Sequence, residues 1–191
     1  MSPRTSEQIN KIRKDRVEEI LNSALEVFAE NGYLSSSISK VAQHAGISKG
    51  LIYNYFKSKD ELVVKIIVKG LNSLIEDLKF DDFAIISEEQ FELFVHKSFS
   101  SMNSNLNFWK LYYNLIMQPP VTALLSDDIW KYIAPFLNSL IGYYKNKGVE
   151  NPEAEARAFI AMLDGVGLDY ISDTESFPIN EVERIIINKF K

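Results

Sequence analysis

Apolar positions recur with a helical period along almost the whole chain. Val17, Ile20, Leu21, Ala24, Leu25 and Phe28 follow the i, i+3, i+4, i+7 spacing of a one-sided helix, and Asn31-Gly32 stops it. A shorter stripe follows in Ile38, Val41, Ala42 and Ala45, with Ser37 placed as its N-cap. Gly46 supplies a sharp turn, and Ser48 can cap a second short helix, about 49–56. Ser58-Lys59-Asp60-Glu61 has the form of a capping box. It opens a long helix whose inward face carries Leu62, Val63, Ile66, Ile67, Leu71, Leu74, Ile75 and Leu78.

Beyond a loop near 80–86, a second capping box at Ser87–Gln90 starts a helix bearing Phe91, Phe94, Val95, Phe99 and Met102. The pattern then predicts a helix at about 105–117 ending before Pro119-Pro120, a short piece at 121–125, and a helix at about 127–146 that should be kinked at Pro135. Asn151-Pro152 begins a helix running to about 171. A loop at 172–178 leads to a last helix, about 181–190, with Val182, Ile185, Ile186 and Phe190 inward. No strand pattern or repeat is present. The expected fold is all-α, with about nine helices: three short, charged ones at the front (1–59) and a helical body (60–191).

Charge changes this picture. The chain is net −5, which argues against nucleic acid, but residues 1–59 are net +3 and residues 60–191 net −8. A basic front on an acidic body restricts phosphate contact to the front. With no cysteine there is no disulfide framework, thiol nucleophile or thiolate metal site. The longest apolar runs are too short to span a bilayer, and Met1–Asn10 lacks the apolar stretch of a signal peptide, so a cytoplasmic location is expected.

Residues 32–62 carry the chemistry. A short helix, a turn at Gly46 and a second short helix make a helix-turn-helix, with Ala42 small where the helices approach. Ile47, Ile52 and Phe56 can bury. Lys49, Gly50, Tyr53 and Asn54 then face outward, with Leu51 at the margin. Such a face can enter a DNA groove. Asn54 can pair with an adenine edge. Tyr53 can give its hydroxyl to a phosphate, and Lys49, Lys57 and Lys59 can neutralise phosphates. Ser36 and Ser37 sit at a helix N-terminus, which favours an anion. Gly50 lets the backbone come close, and Leu51 can touch a thymine methyl. For any one of these polar residues, plain solvation is the alternative.

The run Gly32-Tyr33, Ile38–Ala42 and Ala45–Leu62 resembles the DNA-binding domain of the tetracycline-repressor (TetR) family. The resemblance implies that Ser37, Lys49, Gly50, Tyr53, Asn54 and Lys59 contact DNA. Leu51 departs from it, since the family often has Thr there, which leaves base preference at that point open. It further implies a homodimer through the last two helices, about 152–171 and 181–190. There Ala154, Ala156, Ala158, Ala161, Gly165 and Gly167 would permit close helix contact. A small-molecule effector bound among helices four to eight would swing the fourth helix and weaken a grip on two major grooves about 34–36 Å apart. A repressor released from a palindromic operator is the expectation that follows.

Residues 60–191 hold eighteen of the chain's twenty-three Phe, Tyr and Trp. Trp109, Tyr112, Tyr113, Met117, Trp130 and Tyr143 are candidates to line an effector pocket, and core packing is the alternative for each. His44 and His96 lack a partner at metal-binding spacing, so neither a metal, a cofactor nor a His-dependent catalytic centre is expected. No nucleophile elbow or phosphate loop suggests an enzyme. The basic run Lys11, Arg13, Lys14 and Arg16 is either an arm reaching DNA or a solvated tail. A helix-turn-helix protein with a protein effector remains a rival reading.

Overall fold

The computed structural model describes residues 5–75, 86–124 and 127–191, with side chains omitted at 127–129. Ten α-helices and no strands occur among the described residues. They are α1 (Ser6–Asn31), α2 (Ile38–His44), α3 (Lys49–Tyr53), α4 (Lys59–Ile75), α5 (Glu88–Ser104), α6 (Leu106–Ile116), α7 (Pro119–Thr122), α8 (Asp127–Asn146), α9 (Pro152–Ser172) and α10 (Ile179–Phe190). The fold is all-α as expected. Leu78 and nearly all of the loop expected at 80–86 lie outside the described residues.

Most helix ends follow from local chemistry. Ser37, Ser48 and Ser87 each accept the backbone N–H three residues on, satisfying donors that a helix start leaves free. The box at Ser87 is complete, because Gln90 reaches back to the Ser87 N–H. The one at Ser58 is shifted: Ser58 accepts from Glu61 N at 3.0 Å, while the Glu61 carboxylate takes the Lys57 N–H at 2.6 Å. Gly32 and Gly46 hold positive φ (81° and 64°) at the two turns around α2, a conformation that penalises any side chain. Pro119 and Pro152 sit in the first turns of α7 and α9, where a missing N–H costs nothing.

One start was not visible in the hydrophobic stripe. α1 begins at Ser6, well before Val17, so Lys11, Arg13, Lys14 and Arg16 are helical and form no extended arm. A capping box explains the early start. Thr5 accepts from Gln8 N, and the Gln8 side chain accepts from Thr5 N. The second short helix, α3, is also shorter than the expected 49–56, ending at Tyr53 with Asn54 as its C-cap.

The chain divides into two compact units. The first comprises Met1–Val68 with Leu111–Leu125, and the second Lys69–Lys110 with Ser126–Lys191. The division therefore falls inside α4 and inside α6. The first unit buries Ile20, Ala24 and Phe28 of α1, Val41 of α2, Ile52 of α3 and Leu62, Val63 and Ile66 of α4. Leu115 and Val121 are fully buried there too. Each Val, Leu, Ile or Phe among them contributes about 1.5–3 kcal/mol of transfer free energy. The second unit is built on aromatic contacts. Phe91 of α5 lies 4.8 Å from Phe159 of α9 and stacks on Tyr143 of α8 at 5.1 Å, and Phe159 meets Phe190 of α10 at 5.4 Å.

Candidate nucleic-acid interface

The helix-turn-helix is assembled around a small core of side chains. Val41 and Ala42 point inward from α2, and α3 contributes Ile52, with Phe56 closing the end. Ile47 is half-buried. Five residues of α3 leave room for only one inward side chain, so the rest of its surface faces out. Lys49, Gly50 and Asn54 are exposed, Tyr53 is 48% exposed, and Leu51 is intermediate. The Lys49 ammonium stands 5.9 Å from the Tyr53 ring centre, so cation and phenol form one outward patch. Ser37 and Lys57 are exposed beside it.

Two candidates are engaged inside the unit instead. Ser36 is 4% exposed, and its hydroxyl donates to Val27 O at 3.2 Å and to Gly32 O at 2.8 Å. The Lys59 ammonium donates to Tyr33 O (2.8 Å) and Ser36 O (3.1 Å) and lies 4.1 Å above the Tyr33 ring. It thereby ties the start of α4 to the turn between α1 and α2. The Tyr33 hydroxyl donates to the Asp60 carboxylate. Burial, and then the hydrogen bond and charge of Asp60, hold the Tyr33 phenol well above its ordinary range, so it stays a donor.

The same turn is gripped from Leu111–Leu125, a segment the sequence did not connect with it. The Gln118 side chain accepts from Tyr33 N at 2.6 Å and donates to Phe28 O at 3.0 Å. Asn114 donates to Ala29 O at 3.2 Å. Phe28 and Ala29 belong to the last turn of α1, whose carbonyls lack helical partners. Side chains of Asn114 and Gln118 thus cap α1 from a distance in sequence. A polar pair four residues apart at a helix end, Asn114 and Gln118, was the only signal available.

The six effector-pocket candidates are spread over both units. Tyr112, Tyr113 and Met117 lie in the first, where the two tyrosines are buried and meet edge-on at 6.0 Å while Met117 is exposed. Trp109, Trp130 and Tyr143 lie in the second. Trp109 is buried, its Nε1 donating to Ser101 Oγ at 3.1 Å. Trp130 is exposed, with the Arg157 guanidinium 6.0 Å from its ring. Tyr143 is buried against Phe91. Among the described residues, no group of His, Asp or Glu is placed to hold a metal ion, and no helix is long and apolar enough to cross a membrane.

Comparison with known proteins agrees with this geometry. The family model described as bacterial regulatory proteins, tetR family, matches residues 20–66, from the buried part of α1 into α4. The fatty acid metabolism regulator protein of Bacillus subtilis (strain 168) is 33% identical over 98 residues, 51% of this chain and 50% of that protein. The transcriptional regulator UidR of Escherichia coli (strain K12) is 35% identical over 75 residues, 36% of this chain and 38% of that one. The matches thus span about half or less of these relatives' length. Among solved structures, the fatty acid degradation regulator FadR of Bacillus halodurans superposes with a TM-score of 0.72 at 19% identity, over 91% of this chain and 93% of that one. FadR of Bacillus subtilis, in complex with stearoyl-CoA, gives 0.71 at 21% identity, over 91% and 96%. These two establish the fold. The relatives are named as regulators and not as enzymes, and the helix-turn-helix of this chain lies inside the segment that is similar to the tetR family model.

Proposed function

We propose that the protein is a cytoplasmic transcriptional repressor that grips a palindromic operator as a homodimer and lets go when a small molecule binds. The observation that carries this reading is the outward face of α3. Lys49, Tyr53 and Asn54 project from a helix held by the Ser48 cap, the Gly46 turn and the buried Ile52. Asn54 is suited to an adenine edge, Lys49, Ser37 and Lys57 to phosphates, and Gly50 to close approach. Ser36 and Lys59 act one step back, by fixing the turn that presents α2.

The dimer is proposed through α9 and α10. Ala154, Ala158, Ala161 and Gly165 fall on one exposed face of α9, and Ile185 of α10 is 61% exposed. Small residues let helix backbones come close, and a large exposed aliphatic side chain gains by burial. Trp109, Tyr112, Tyr113, Met117, Trp130 and Tyr143 stand as candidates for effector contacts. The similarity to regulators named for fatty acid metabolism, one of them solved with stearoyl-CoA, makes a long acyl thioester the first effector to try.

The test is selection of tight binders from a random duplex pool at two salt concentrations. An enriched palindrome, lost with Tyr53→Ala or Asn54→Ala and released by stearoyl-CoA, supports the whole reading. Absence of any enriched sequence, with no binding even at low salt, overturns it.

A further inference from the structure

Asn31-Gly32, where α1 runs into the turn before α2, is the single Asn-Gly pair in the chain. An asparagine side chain before glycine can react with its own backbone, because glycine has no Cβ to shield the nitrogen that follows. The fold bares that nitrogen. At an ordinary helix end the Gly32 N–H would donate to Phe28 O. Here Phe28 O takes the Gln118 amide at 3.0 Å, and the Gly32 N–H has no hydrogen-bond partner among the described residues. Gly32 is also uncrowded: apart from its chain neighbours, the nearest atom to where a Cβ would stand is Ser35 Oγ at 4.0 Å. Asn31 is exposed, so water reaches it. Its amide donates to Val27 O at 3.1 Å, and that carbonyl keeps the Ser36 hydroxyl, at 3.2 Å, when Asn31 lets go.

We propose that Asn31 is a self-modification site whose product takes the protein out of its DNA-binding form. The Gly32 nitrogen gives its proton to water or hydroxide and attacks Asn31 Cγ. The new N–C bond closes a cyclic imide, the Cγ–Nδ2 bond breaks, and the amide nitrogen leaves as ammonia with a proton taken from solvent. One water then opens the ring. Attack at Cγ restores the original backbone and leaves aspartate. Attack at the Asn31 main-chain carbonyl leaves isoaspartate, whose backbone runs through the side chain and is one methylene longer. Both products put a carboxylate at the carbonyl end of α1, where the helix dipole disfavours it, and replace the donor to Val27 O by an acceptor. Isoaspartate does more, because the residues that follow are pinned. Gly32 O is held by the Ser36 hydroxyl at 2.8 Å, Tyr33 N by Gln118 at 2.6 Å and Tyr33 O by Lys59 at 2.8 Å. An extra methylene between α1 and this turn breaks some of these bonds, and the turn leads directly into Ser37, the cap of α2. The loss of DNA binding rests on the proposed function; the modification itself does not.

The experiment incubates the full-length protein in mildly alkaline buffer over days and maps its peptides by mass spectrometry, with fragmentation that separates isoaspartate from aspartate. Asn31 is expected to convert first, mainly to isoaspartate, ahead of the four Asn-Ser pairs at Asn22, Asn72, Asn103 and Asn138. Binding of an enriched duplex should fall in step, so that the active fraction tracks the fraction of chains without isoaspartate. The Tyr33 amide should exchange faster in converted chains. Asn31→Gln keeps an amide but must close a larger, slower ring, so it should hold its duplex binding through the same incubation. If Asn31 stays intact while the urea-unfolded chain converts there, the fold protects the site and the proposal is overturned. Conversion that leaves both binding and Tyr33 exchange unchanged overturns the stated consequence, as does loss of binding by Asn31→Gln at the wild-type rate. A wild type that binds no duplex before incubation means that the proposed function has failed, and Tyr33 exchange then reads the consequence of conversion alone.

Discussion

Replacing Gln118 by alanine deletes two hydrogen bonds that reach across the first unit, from Tyr33 N and to Phe28 O, and one weaker bond to Asn114 O at 3.3 Å. Each tertiary bond is worth about 0.5–1.5 kcal/mol net, so the pair amounts to about 1–3 kcal/mol. The upper half of that range is favoured, because Tyr33 is buried and its N–H has no other partner among the described residues. For a chain of this size about 2–4 °C of melting temperature corresponds to each kcal/mol, which puts the expected drop at about 4–12 °C. Asn114→Ala, which removes one bond from an exposed side chain, should cost under about 1 kcal/mol. Thermal unfolding followed by far-ultraviolet circular dichroism measures both. Hydrogen exchange of the Tyr33 amide, expected to speed up in Gln118→Ala and hardly at all in Asn114→Ala, localises the effect. A Gln118→Ala protein that melts within about 1 °C of wild type, with the Tyr33 amide still protected, would refute the idea that Leu111–Leu125 caps α1.

Tyr33→Phe removes the donor to Asp60, a hydrogen bond to a charged group, and should destabilise by about 1.5–3 kcal/mol in the same melt. Tyr144→Phe gives the opposite control. Its hydroxyl is buried without a partner, so loss of the oxygen should leave stability unchanged or raise it. Burial holds Tyr33 and Tyr144 above the ordinary phenol value of 10.0, so the folded chain keeps protons that the unfolded chain gives up. The stability from these two groups is therefore complete below pH 10 and lost as pH rises beyond it, and urea midpoints measured on either side of pH 10 should fall accordingly. Ile185→Glu places a charge on the proposed α9–α10 contact, and sedimentation should then show monomers with an unaltered circular dichroism spectrum.

Elements fixed by neighbouring residues were legible without coordinates. Ser37, Ser48 and Ser87 marked helix starts, Gly32 and Gly46 marked turns, and the outward set Lys49, Gly50, Tyr53 and Asn54 followed from helical spacing. The start of α1 escaped because it depends on Thr5 and Gln8 rather than on apolar residues, and a stripe-based reading begins where burial begins. Ser36 and Lys59 read as phosphate ligands because serine and lysine near a helix start suit anions. Their actual partners, Val27 O, Gly32 O and Tyr33 O, are backbone atoms brought near only by the fold. Capping of α1 by Asn114 and Gln118 spans 85 residues or more, and no local pattern encodes that separation.

The placement of the two tryptophans gives the molecule a built-in division of signal. Trp109 and Trp130 both belong to the second unit, and the first unit contains only tyrosine and phenylalanine. Light absorbed selectively by indole is thus emitted from one unit alone. Trp109, buried beside Ser101, should emit to the blue and resist a collisional quencher, while exposed Trp130 should emit to the red and be quenched first. Events confined to α1–α3 will be spectroscopically silent by this route, so any change in indole emission on adding duplex DNA would report that the second unit has responded.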